Sequence, residues 1–182
     1  MRNTKKATAI TLFGAIIVIL QLISTFINFG SFPITLTLIP IIVGGAIFGP
    51  LAGCLLGLVF GIIVALMVVL GADPSGATMF ATRPIVTVSV CLLKGALAGL
   101  ISGIVYHLFK KKNEKLAIIL SSAIAPIVNT GTLYLCLYYF FGAELRMLVG
   151  ALMSFNFFLE LITNILLAPG LLSLIHKGQE TY

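Results

Sequence analysis

Long apolar runs, broken at short intervals by glycine, proline and isolated charges, fill this chain from residue 7 to residue 175. Apolar periodicity and Gly/Pro punctuation predict six helices, over about 7–27, 34–48, 50–71, 84–109, 116–141 and 147–175. The runs are continuous rather than alternating over roughly ten residues, which excludes a β-barrel reading. A membrane crossing needs about 20 apolar residues, so these helices suit a bilayer. Most connections are tight, and Gly49-Pro50 alone divides the second helix from the third, with Pro50 placed for a first helical turn. The segment 72–83 differs, because Asp73, Pro74, Ser75 and Gly76 carry turn chemistry.

Glycines recur at four-residue steps at Gly45, Gly49, Gly53, Gly57 and Gly61, and again at Gly95, Gly99 and Gly103. In water each would weaken a helix by roughly 1 kcal/mol. In lipid such a ladder bares a strip of backbone that another helix can approach closely.

Composition agrees with the pattern. The chain is 60% hydrophobic and 9% charged, against roughly half and a quarter in soluble domains. The fold class is therefore an all-α integral membrane protein, a six-transmembrane-helix bundle forming a single domain over residues 1–182. The opening residues imitate a signal peptide, but the apolar run is long enough to span and shows no small-residue cleavage site, so it reads as a retained first helix. Cys54, Cys91 and Cys136 stand singly in apolar runs, without the spacing of a metal site or a disulfide framework. Of the 11 basic residues, eight (Arg2, Lys5, Lys6, Lys110, Lys111, Lys112, Lys115 and Lys177) fall on one side of the bundle. By the positive-inside rule that side is cytoplasmic, and both termini lie there. Anionic lipid beside these clusters accounts for them without nucleic acid.

The chemistry lies in the residues that do not belong in lipid. Lys94 stands about ten residues into the fourth helix, near the midplane, where a bare cation costs at least about 2.5–3.5 kcal/mol. Glu160 lies at a similar depth in the sixth helix, and Asn156, Glu160 and Asn164 share one face of it. Asn129 in the fifth helix completes the set. Arg83, Thr87, Cys91 and Lys94 form one stripe descending from the outer loop. Two arrangements are compatible with this pattern: a Lys94–Glu160 ion pair tying the last helices together, and a water-reached pocket in which Lys94 binds an anionic ligand. Lys94, Asn129, Asn156, Glu160, Arg83 and Thr87 are the expected substrate-binding residues. No metalloprotease, nucleophile-elbow or phosphate-loop motif occurs. The chain reads as no enzyme, without cofactor or metal, and any ATP-driven transport needs another subunit.

The stretch from Thr35 to Leu66, with Ile39-Pro40, Gly49-Pro50, Ala52-Gly53 and Gly57 in order, resembles the helix two–three signature of substrate-binding S components of energy-coupling-factor (ECF) vitamin transporters. Helices two to four match most closely, on the pantothenate-type branch, with folate- and riboflavin-type members next. The resemblance implies high-affinity capture of a water-soluble vitamin from outside the cell, at the plasma membrane. It further implies docking on a transmembrane coupling protein and two ATPase subunits, a pocket lined by helices four to six, and a lid at 72–83. Helices one to three would contact the shared module through Ala7, Thr11 and Ala15 and through Gly53, Gly57 and Gly61. The family's Ala-x-x-x-Ala pattern has threonine at its centre here, still small enough for close approach. Two rival readings are a stand-alone proton- or ion-coupled carrier protonated at Glu160, and a structural membrane subunit.

Overall fold

The computed structural model describes residues 2–26, 28, 29, 32, 33 and 36–180, with side chains at 4–24, 36–147, 149, 150 and 156–175. Helix α1 covers Arg2–Phe26, and a two-residue hairpin, β1 Asn28–Phe29 and β2 Phe32–Pro33, follows it. Then come α2 Leu38–Phe48, α3 Pro50–Val69, α4 Pro74–Thr82, α5 Pro84–Phe109, α6 Glu114–Phe140 and α7 Ala143–Glu180. Five of these (α1, α3, α5, α6 and α7) contain stretches long and apolar enough to cross a membrane.

Helix α2 begins later than its expected start at residue 34. Residues 34 and 35 lie outside the described set, and Thr37 caps nothing with its side chain, because its hydroxyl donates to Gln21 Oε1 of α1 at 3.0 Å. The 11 residues of α2 reach only about 16 Å, half of a hydrocarbon core. Its end is set by Gly49, whose φ of +106° suits glycine alone and turns the chain directly into α3.

The glycine ladders face each other. Gly57 lies on the Gly95 carbonyl, Gly53 on the Gly99 carbonyl, and a Cβ added to Gly61 would stand 2.5 Å from the Cys91 carbonyl oxygen. Each step of four along α3 is matched by a step of four backwards along α5, so the two helices run antiparallel in backbone contact. Gly45 of α2 joins them, since a Cβ there would stand 3.4 Å from the Cα atoms of both Gly53 and Gly103. The expectation that Gly53, Gly57 and Gly61 dock a partner is therefore corrected: α5 covers all three, and they are buried.

The segment 72–83 is ordered as α4. The Asp73 carboxylate accepts from the backbone N–H of Ser75 and Gly76 at 3.1 and 3.2 Å, and Pro74 opens the helix. Met79 of α4 packs with Val90, Leu133, Cys136, Leu137, Phe141 and Val149, roofing the ends of α5, α6 and α7. A larger apolar cluster holds α1, α2 and α3 against the remainder.

Gly57→Ala is expected to destabilise the purified protein by about 1–3 kcal/mol or more, because backbone cannot yield as a side chain does. At Gly14 nothing lies within 4 Å of an added methyl, so Gly14→Ala should be neutral or stabilising by up to about 1 kcal/mol. Thermal unfolding in detergent compares them, and equal losses would contradict the packing described.

Candidate functional site

The packed helices bring Lys94, Asn129 and Asn156 to about one depth. Lys94 precedes Gly95, which faces Gly57, so it lies level with the middle of the 20-residue α3. The Ser121 hydroxyl of α6 donates to the Ser102 carbonyl of α5 at 2.8 Å. Eight residues along each antiparallel helix, away from the lysine-bearing end (121 to 129, 102 to 94), stand Asn129 and Lys94. The Tyr134 hydroxyl donates to the Gly150 carbonyl of α7 at 2.7 Å. Five residues back toward the lysine-bearing end on α6 (134 to 129) and six on α7 (150 to 156) reach Asn129 and Asn156. Lys94, Asn129 and Asn156 thus share a level to within about one turn. Glu160 and Asn164 continue the same face of α7 toward the end of the bundle that carries Lys110, Lys111 and Lys112.

Lys94 is half-buried, with Nζ 5.7 Å from the centroid of the Phe60 ring. A desolvated cation over an aromatic face gains about 2 kcal/mol, which offsets part of its burial. Among the described residues the ammonium meets this ring rather than the Glu160 carboxylate. The acid instead accepts from Asn156 Nδ2 at 3.4 Å and is buried at 4% exposure. The Lys94–Glu160 pair open at the level of sequence is thus not the contact that holds Lys94.

The asparagines are under-bonded. Asn129 and Asn164 are 6% and 0% exposed, yet among the described residues Asn129 Oδ1, Asn156 Oδ1 and both amide atoms of Asn164 have no hydrogen-bond partner. Each such group costs about 1–3 kcal/mol when shut away from water. Carboxamides of this kind offer paired donors and acceptors to a polar ligand. The three buried serines of α5 and α6 have already committed their protons: Ser102 to the Gly99 carbonyl, Ser121 to the Ser102 carbonyl, and Ser122 to the Ile118 carbonyl.

The other expected residues divide. Thr87 is buried on the stripe above Lys94, but its hydroxyl donates to the Arg83 carbonyl at 2.9 Å, leaving only its lone pairs to a ligand. Arg83 is exposed at the α4–α5 junction and is not brought into the buried set. Ala7, Thr11 and Ala15 are all exposed on α1. Phe60 escaped the sequence reading, since its contact depends on the pairing of α3 with α5. Asn164 was visible there by its spacing from Glu160 but was not counted as a binding residue. No group of three or more His, Cys, Asp or Glu capable of holding a metal occurs among the described residues.

The chain is thus a helical bundle with membrane-capable spans and, inside it, under-bonded amides and a lysine beneath an apolar roof. The family model for the substrate-specific component of ECF transporters matches residues 5–172, and the chain belongs to that family. No curated protein matches the chain. Members of the family are substrate-binding subunits of transporters, so the chain captures a substrate for an ECF transporter.

Asn129→Leu and Asn164→Leu are each expected to raise the unfolding temperature of the ligand-free protein, since each removes an unsatisfied buried amide at similar volume. Scanning calorimetry without ligand checks this; a fall of several degrees for both would mean that the amides are bonded in the protein.

Proposed function

We propose that this S component captures a water-soluble vitamin from outside the cell, pantothenate first, with folate or riboflavin next. The under-bonded carboxamides at the depth of an ammonium carry this reading. Such a layer complements a molecule with one carboxylate and several hydroxyl or amide groups. The vitamin's carboxylate would replace Phe60 as the partner of Lys94. Asn129 and Asn156 would bond its polar middle, with Glu160 accepting from a hydroxyl. Thr87 accepts at the outer edge, and Arg83 attracts the anion at the entrance. Helix α4, anchored by Met79, is the lid through which the ligand enters.

In the same reading the chain is a single six-helix domain of the plasma membrane, with α2 as its sixth helix. Both termini are cytoplasmic. Ala7, Thr11 and Ala15, exposed and small, form the surface that meets the transmembrane coupling protein, while two ATPase subunits supply the energy. The glycines of α3 serve the bundle instead.

Equilibrium binding of a vitamin panel to the purified protein tests the reading. Lys94→Ala should weaken pantothenate binding at least about tenfold, near the low end of a charged hydrogen bond's worth. The same substitution should leave the uncharged amide of that vitamin almost unaffected. If Lys94→Ala changes the affinity for no ligand, the anion site is wrong.

A further inference from the structure

The first turns of α1 border a groove that the bundle's own geometry leaves open. Phe13 of α1 packs edge-on against Phe48, the last residue of α2, with ring centroids 5.7 Å apart. The chain turns back into α3 at Pro50. Residues 4–12 therefore run about 13 Å beyond the α2–α3 turn, where neither of those helices continues. There a groove of about 590 Å³ is lined by Thr4, Lys5, Thr8, Ala9 and Leu12. Its described lining is one face of α1, open to the surroundings, with Leu12 62% exposed.

The charge described at its mouth is basic. Lys5 is exposed beside Lys6, and among the described residues no acidic side chain lines the groove. Pro50 meets Gly103 on α5, and Lys110 lies seven residues past Gly103 (103 to 110), while Lys5 lies eight before Phe13 (13 to 5). At 1.5 Å per residue both clusters stand roughly 10–12 Å past the turn. Lysines at one depth on a membrane helix bundle mark the headgroup layer. The groove thus has an apolar floor running into the bilayer and a cationic mouth at its surface.

We propose that this groove binds one anionic phospholipid, with its headgroup phosphate on Lys5 and an acyl chain along Thr8, Ala9 and Leu12 beneath the α2–α3 turn. The stripe Ala7, Thr11 and Ala15 lies about a quarter-turn away around α1, so a lipid here leaves that face open. Vitamin capture plays no part in the site.

Native mass spectrometry of the full-length protein with phosphatidylglycerol or phosphatidylcholine tests it. One phosphatidylglycerol should be retained per chain, at least tenfold more tightly than phosphatidylcholine. Lys5→Glu, an exposed change that spares the fold, should abolish the preference, and Ala9→Trp should expel the lipid with the charge intact. Lys110→Ala combined with Lys111→Ala should leave retention unchanged. Equal retention of the two lipids, or equal loss in the Lys110 and Lys5 variants, would show only a diffuse basic surface and overturn the site. A photo-crosslinker at Thr8 that captures the coupling protein of the assembled transporter, and no lipid, would also overturn it.

Discussion

The backbone contact between α3 and α5 sets the geometry of everything else. Gly53, Gly57 and Gly61 on one helix, with Gly95 and Gly99 on the other, bring two main chains together where any side chain would collide. In a bilayer, where lipid tails are as apolar as leucine, such close packing is a principal attraction between helices. It also locks the register. Because Lys94 adjoins Gly95, its depth and its facing toward Phe60 follow from that contact, and α6 inherits the same register through the Ser121–Ser102 bond.

The polar layer works against that packing. Buried amide atoms that have no partner among the described residues weaken the fold, and leucines in their place would stabilise it better. Such frustration, running along one face of α7 and onto α6, is characteristic of a site where stability is traded for binding. The apolar clusters explain how the chain tolerates it. Met79 and its neighbours close one end, and the large α1–α2–α3 core supports the side.

Much of this was legible in the chain. Continuous apolar runs marked the long helices, because backbone in lipid must bond to itself. Counting from Pro84 placed Lys94 at mid-depth, and four-residue spacing put Asn156, Glu160 and Asn164 on one face. What could not be read were partners across helices. The glycine ladders signalled close approach but not to whom, and their partner proved internal. The Lys94 contact with Phe60 and the short α2 share that cause: both depend on inter-helix register and on Thr37 bonding to Gln21. The ordering of 72–83 as a helix was readable in principle, since Asp73-Pro74 is a cap followed by a first-turn proline.

The central claim is that Lys94 faces a space that solute reaches from outside. The direct measurement replaces Cys54, Cys91 and Cys136 with alanine, introduces Lys94→Cys, and labels cells with a membrane-impermeant thiol reagent. Labelling from the exterior is the predicted result, blocked by pantothenate only at concentrations that saturate the weakened Lys94→Cys protein. A Lys94→Cys thiol that stays unreactive, or that saturating vitamin leaves equally reactive, would contradict it.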